Sequence, residues 1–278
     1  MSKAVITLLT DFGTEDHYVA SMKGVILSIN PHCTLIDITH QVGPQDVRGG
    51  AFLLANAYSS FPRGTIHLGV VDPGVGSPRE PILAVTSDYF FIGPDNGLFT
   101  LALEKETVRE IVILRNTKYF SPKISPVFHG RDLFAPAAGH LSLGVKPGAF
   151  GPTVNSWMRL QFQKPVEKGQ RLMGEILHID GFGNLVTNID DLTLFRFVRR
   201  RSLVIKVGKV SIRGLKSGYW EGKKGEVLAL IGSEGLLEIS VREGNAQKLL
   251  RAKKGDRVGV QLGNVSQELE ARGKESEV

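Results

Sequence analysis

A chain of 278 residues that is 42% hydrophobic and 22% charged holds enough apolar side chain for a sizeable core, and too little compositional bias to be disordered. The formal net charge of +6 does not by itself call for a polyanionic partner. Its basic clusters, Arg199-Arg200-Arg201, Lys223-Lys224 and Lys253-Lys254, come late and carry no aromatic-studded stripe or nucleic-acid motif, so no nucleic acid is expected.

The first half alternates strand and helix patterns. Ala4 to Leu9 reads as a strand ending in the loop Thr10-Asp11-Phe12-Gly13. A helix is expected next, with Thr14 as its N-cap, Glu15 and Asp16 complementing its dipole, and Val19, Met22, Ile26 and Ile29 on one face. Asn30-Pro31 should stop it. Cys33 to Ile38 is the next strand, and its single cysteine cannot form an internal disulfide. The loop His40 to Gln45 leads to a helix capped by Asp46 and buried along Val47, Ala51, Leu54, Ala55 and Tyr58. Thr65 to Val71 follows as a strand, so the order strand-helix-strand-helix-strand argues for a layered α/β domain with a mostly parallel sheet. Pro81 to Thr86 and Tyr89 to Ile92 look like a hairpin, which makes that sheet mixed. A short helix through Leu98, Leu101 and Ala102, a strand from Arg109 to Leu114, and a helix opening at Phe128-His129-Gly130-Arg131-Asp132 and running to about Leu141 complete this half.

Between Gly144 and Gly169 the pattern dissolves into Lys146-Pro147-Gly148, Gly151-Pro152 and Lys164-Pro165. Beyond it the short runs Gly174 to Ile179, Leu185 to Asn188, Leu203 to Val207, Val227 to Ile231, Leu237 to Val241 and Arg257 to Leu262 alternate with Gly-rich turns, which predicts a small antiparallel β-barrel. We therefore expect an α/β domain over 1–155, a linker over 156–169, a β-barrel domain over 170–264 and a polar tail over 265–278. No stretch approaches the roughly 20 apolar residues of a membrane span. The N-terminus lacks a secretory h-region and cleavage site, so a cytoplasmic protein without a membrane partner is expected.

The loop Asp72-Pro73-Gly74-Val75-Gly76-Ser77-Pro78-Arg79 stands out chemically. Two glycines and two prolines shape a backbone path that lets a carboxylate and a guanidinium face one small space and orient a water or an anion, although a surface turn with a weak ion pair fits the same residues. Both Asp11 and Asp72 lie just past strand ends, where ligands collect in open α/β sheets. His129 precedes a helix and is either structural or a proton relay. A hard-metal site of Asp11, Asp72, His129 and Asp132 finds no supporting spacing, and Arg79 beside a cation would oppose it, so no metal is expected. Gly-x-Ser-x-Gly, Gly-x-Gly-x-x-Gly after the first strand and a P-loop are all absent. In the second half, Asp180-Gly181 is an ordinary hairpin turn. Phe182 and Asn184 beside it have the chemistry to stack on a purine and read its edge. Ser233 and Glu234 in Gly232-Ser233-Glu234-Gly235 suit either a plain turn or an amino-acid head group.

Taken together, Thr10-Asp11-Phe12-Gly13, the Asp72 to Arg79 loop, Gly93-Pro94-Asp95-Asn96-Gly97, Phe128-His129-Gly130-Arg131-Asp132 and Asp180-Gly181-Phe182-Gly183-Asn184 resemble the SAM hydroxide adenosyltransferases, S-adenosyl-L-methionine hydrolases related to fluorinases and chlorinases. The resemblance runs from about residue 4 to 263. It implies hydrolysis of S-adenosyl-L-methionine to adenosine and L-methionine, with that molecule as substrate and no further cofactor. It also implies a homotrimer with sites at subunit interfaces, with Asp72, Arg79 and His129 as catalytic residues. Asp11 matches the family's ribose-diol carboxylate; Phe182, Asn184 and the backbone near Val241 match its purine contacts; Asp180, Ser233 and Glu238 match positions lining its substrate pocket. Gly130 stands where halogenating relatives carry a halide-binding serine, which argues against halide adenosyl transfer. A protein that binds adenosine or S-adenosyl-L-methionine without turnover is the other alternative.

Overall fold

Strand β1 (Val5–Thr10) has Ile6, Leu8 and Leu9 fully buried, which a strand needs when both faces of its sheet are covered. It pairs in parallel with β2 (Thr34–Thr39) on one side and β3 (Ile66–Val70) on the other. The computed structural model describes residues 3–199 and 201–263; Arg200 and the expected tail 265–278 lie outside the described residues. Four further strands, β4 (Pro81–Thr86), β5 (Phe90–Pro94), β6 (Val108–Ile113) and β7 (Thr153–Val154), extend the sheet in the order β2-β1-β3-β5-β4-β6-β7. Only β4 and β7 run against the other five, so the sheet is mixed and mostly parallel.

Helices cover both faces. Alternate residues of β1 feed two cores: Ile6 and Leu8 join α1 (Tyr18–Ile29) and α4 (Ala135–Ser142) through Met22, Ile26, Ala137, Ala138 and Leu141. Leu9 joins α2 (Val47–Ala57) and α3 (Thr100–Leu103) through Leu54, Ala55 and Ala102. Asp46 caps α2 as expected, its Oδ1 accepting the Gly49 N–H at 2.8 Å. The expected cap of α1 fails. Thr14, Glu15 and Asp16 lie outside the helix, which begins at Tyr18 without a side-chain cap. The rings of Phe12, Tyr18 and Phe128 pack together at this bend, with centroids 5.2 to 6.1 Å apart and Phe128 edge to face with the other two.

The segment after Phe128 also differs from the single helix expected. Gly130–Phe134 forms a π-helical turn ahead of α4. Pro136 has no N–H to give the carbonyl four residues back, Asp132, which takes the Ser121 N–H at 2.9 Å instead.

The chain divides into two units at Gln161/Phe162. Residues just before the division are tied to the first unit, with Met158 N–H on Asp95 Oδ1 and Leu160 N–H on Thr100 Oγ1 at 2.8 and 2.9 Å. The second unit is antiparallel throughout. Its strands are β8 (Val166–Lys168), β9 (Arg171–Ile179), β10 (Leu185–Asp190), β11 (Leu203–Val207), β12 (Val210–Arg213), β13 (Val227–Ile231), β14 (Leu236–Val241) and β15 (Arg257–Leu262). They run β12-β11-β15-β9-β10-β14-β13, with β8 beside β9. Past β12, the Lys216 N–H bonds to Ala229 O on β13 at 2.8 Å, which brings the two ends of the sheet together into a nearly closed barrel. Two helices interrupt it, α5 (Asp191–Val198) and α6 (Ala246–Leu250).

Candidate active site

The loop after β3 is built to hold two charges together. Its turns close through Val75 N–H to Asp72 O and Ser77 N–H to Gly74 O. Gly76 has φ +78°, and a Cβ there would stand 2.5 Å from Pro126 O, so only glycine allows this approach. At the loop's start the Asn96 amide donates to Val71 O at 2.8 Å. Asp72 and Arg79 then meet as a fork: Nε donates to Oδ1 at 2.8 Å and Nη2 donates to Oδ2. Both side chains are nearly buried, at 4% and 9% exposure, so this is not the weak surface pair the sequence also allowed.

His129, at the head of the π turn, completes the cluster from fifty residues away, its Nδ1 3.0 Å from Arg79 Nη2. A guanidinium can only donate, so Nδ1 accepts and the imidazole proton resides on Nε2. Burial, and next the Arg79 charge, lower the His129 pKa from its ordinary value against the opposing pull of Asp72 and Asp132, which keeps the ring neutral near pH 7. The Phe134 ring underlies the guanidinium, 5.4 Å from its carbon. Arg79 Nη1 is buried and has no partner among the described residues.

Asp11 opens onto the same edge of the sheet. The parallel register pairs Thr10 with Val70, one strand away from the start of the Asp72 loop. One oxygen of Asp11 accepts the Gln45 N–H at 2.8 Å, and Gln45 adopts φ 62°, a strained conformation for a residue other than glycine. Next in sequence, Phe12 packs where a Cβ on Gly130 would stand, 3.5 Å away, beside Met22 Sδ at 3.2 Å.

The remaining candidates belong to the second unit. In the turn between β9 and β10, Asp180 accepts the N–H groups of Phe182 and Asn184 on one oxygen and the Asn184 side-chain amide on the other, each at 2.9 Å. That leaves Phe182 78% exposed and Asn184 buried. Asn245 braces this turn by donating to Phe182 O at 3.0 Å, and Gln247 N–H bonds to Gly183 O at 2.9 Å. On β14, Glu238 pairs across to Val186 and is buried, taking hydrogen bonds from the Tyr219 hydroxyl at 2.7 Å and from Ser240 at 2.5 Å. Burial and then Glu238 push the Tyr219 pKa up, so it stays a donor. Val241 is buried at the end of the same strand, and Ser233 lies in the preceding turn, donating to Glu234 at 2.9 Å. Tyr219, Asn245 and Asn96 had no role assigned from sequence. Among the described residues no group of three or more His, Cys, Asp and Glu could hold a metal ion, and no helix is long and apolar enough to cross a membrane.

A mixed α/β unit with a buried carboxylate–guanidinium–imidazole contact near its strand ends, followed by an antiparallel barrel-like unit, defines a two-unit protein equipped for polar, acid–base chemistry on a small ligand. Comparison with known proteins narrows this. Residues 6–151 match the SAM hydroxide adenosyltransferase N-terminal domain and residues 174–259 its C-terminal domain. The chain is 36% identical to the (R)-S-adenosyl-L-methionine hydrolase of Thermus thermophilus over 257 residues, 90% of this chain and 96% of the relative. It is also 36% identical to the hydrolase of the same name from Methanocaldococcus jannaschii, over 92% and 95% of the two chains. A fluorinase from Actinoplanes is more distant, 30% identical over 66% of this chain and 71% of the relative. An uncharacterized conserved protein of known structure from Thermotoga maritima superposes with a TM-score of 0.87 at 37% identity, covering 92% of this chain and 99% of the other. The chain belongs to the SAM hydroxide adenosyltransferase family.

Proposed function

We propose that the protein hydrolyses S-adenosyl-L-methionine to adenosine and L-methionine. Water oxygen bonds to the ribose C5′ as the C5′–S bond breaks, methionine leaves with the bonding pair, and the water proton passes to the Asp72 carboxylate and on to solvent. The sulfonium makes methionine a ready leaving group, so the protein has only to aim the water in line and stabilise the charge it develops. Free water has a pKa of about 15.7, which makes that stabilisation the larger task.

The observation that carries this reading is the contact of Asp72, Arg79 and His129 with Arg79 Nη1 left over. Asp72 and His129 occupy Nε and Nη2, so the spare donors of Nη1 and the Nε2 proton of His129 are free to hold the developing hydroxide. Asp11 would take the ribose hydroxyls, and Phe182, Asn184 and the backbone near Val241 the purine. Asp180, Ser233 and Glu238 would line the rest of the pocket. In this reading residues 1–155 act as the catalytic domain and 170–264 as the barrel domain of a cytoplasmic homotrimer with sites at its subunit interfaces. No cofactor is required. Halide transfer is the weaker alternative, because Gly130 offers no hydroxyl at the position where halogenating relatives carry a halide-binding serine.

The test is direct. Pure protein incubated with S-adenosyl-L-methionine should release adenosine, followed by chromatography, and no adenosine at high enzyme concentration refutes the activity. Ala at Asp72, Arg79 or His129 should each lower kcat by about 10²-fold or more with the fold retained. Full rate in all three variants means that the site lies elsewhere.

A further inference from the structure

His40 takes no part in the chemistry above, yet it is 3% exposed and hydrogen-bonded on several sides. Its Nδ1 lies 2.8 Å from the Thr10 hydroxyl, which is fully buried and accepts the Phe12 N–H at 3.2 Å. The Asp37 carboxylate beside Nε2 can only accept, so the proton of a neutral imidazole belongs on Nε2, and Nδ1 is left to accept the Thr10 hydroxyl. Nε2 lies 3.0 Å from Asp37 Oδ1, and Asp37 in turn takes Lys23 Nζ at 2.6 Å. The His40 carbonyl accepts the Gly13 N–H at 2.8 Å, and the Val42 N–H reaches Thr10 O at 3.4 Å.

A carboxylate, an imidazole and a hydroxyl in line resemble a nucleophile triad, but the burial of Thr10 and its bond to Phe12 rule out attack on a ligand. What the chain of contacts does is grip residues 10, 12 and 13, the neighbours of Asp11 on both sides, while Gln45 N–H holds one oxygen of Asp11 itself. We propose that His40 is a positioning residue for Asp11: it fixes the loop Thr10–Gly13 so that the free oxygen of Asp11 meets the ribose hydroxyls of the substrate. This rests on the function proposed above. Because Asp11 acts on the ribose and not on the breaking bond, its misplacement weakens binding and loses recognition of the 2′-hydroxyl more than it slows the chemical step.

The experiment compares wild type, His40→Ala, Thr10→Val and Thr10→Ser in the full chain. It measures KM and kcat with S-adenosyl-L-methionine, inhibition by adenosine and by 2′-deoxyadenosine, and a thermal melt for each. Loss of one buried hydrogen-bonding link should raise KM about tenfold in His40→Ala with kcat held within about threefold, and should erode the preference for adenosine over its 2′-deoxy analogue by a similar factor. Thr10→Val, nearly isosteric, should do the same, and Thr10→Ser should recover most of the preference. If His40→Ala does not fold, the Thr10 pair carries the test. Unchanged adenosine preference in folded variants, or a loss confined to kcat, overturns the proposal while leaving the hydrolase reading intact. A wild-type protein that neither releases adenosine nor binds it overturns both.

Discussion

His67 sits fully buried in β3, with the rings of Tyr58, Phe61, Tyr89 and Phe91 around it at 5.1 to 5.9 Å and Nδ1 on the Thr7 hydroxyl at 2.8 Å. Its Nε2 has no partner among the described residues, and burial pushes its pKa down to about 3. The unfolded chain takes up a proton near pH 6.5 that the folded chain refuses until about pH 3. The stability that His67 contributes is therefore fully present above pH 6.5 and is lost by up to about 1.4 kcal/mol per pH unit between there and about pH 3. The lowered pKa of His129 adds to the loss with the same sign. His67→Gln should be less stable at pH 7 and yet lose less melting temperature between pH 6.5 and 4 than wild type. Parallel curves would show that His67 does not set the acid sensitivity. At this scale the sequence was legible where partners lie close along the chain. Asp72 and Arg79 share one Pro/Gly loop, so their meeting follows from local backbone. His129 joins them through the tertiary fold: its own residues read as either structural or a proton relay, and only the family resemblance joined it to Asp72 and Arg79. Asn96 and Asn245 act on backbone carbonyls, which leave no trace in side-chain identity.

Elements tell a similar story. Strands β1, β3 and the β4–β5 hairpin were readable because buried strands between two helical layers are continuous apolar runs bounded by turns. Helices α5 and α6 were missed: at eight and five residues they carry too few turns for a periodic signal. A cap survives as the clue for α5, Asp190 accepting the Thr193 N–H at 2.8 Å. Nothing local announces the π turn Gly130–Phe134, because Pro136 two residues beyond it also suits the first turn of an ordinary helix. That turn presents His129 to Arg79, and it packs so closely on α1 that a Cβ on Gly130 would stand 3.2 Å from Met22 Sδ. Gly130→Ala gains about 0.5–1 kcal/mol of helical propensity, and the fully buried Met22 must yield by a few tenths of an ångström to admit the methyl, so the change should cost about 1 kcal/mol net. Adding Met22→Ala should then cost less than the sum of the two single changes, because the cavity receives the new methyl. A denaturant melt of the four proteins measures this, and strict additivity would mean that the turn does not press on α1.

For the whole molecule, the function proposed above makes a testable demand on which chain supplies each group. The second unit exposes Phe182 at 78%, Trp220 at 69% and Tyr219 at 45%, large aromatic side chains that a neighbouring chain could cover. In the proposed trimer the first unit of one chain and the second unit of the next would form each site, a head-to-tail arrangement that closes into a ring. Light scattering should then give three times the 30.3 kDa chain mass. Subunit mixing is the sharper test. Asp72→Ala disables the first unit and Asn184→Ala the second, so each variant alone has only crippled sites. In trimers reassembled from equal amounts of both, a site is whole when an Asn184→Ala chain lends its first unit to the second unit of an Asp72→Ala neighbour, which random mixing gives in about a quarter of sites. Activity should rise toward that fraction of wild type on mixing. If each chain builds its own site, no mixture contains a whole one and the rate stays at the level of the parents, whatever the oligomeric mass.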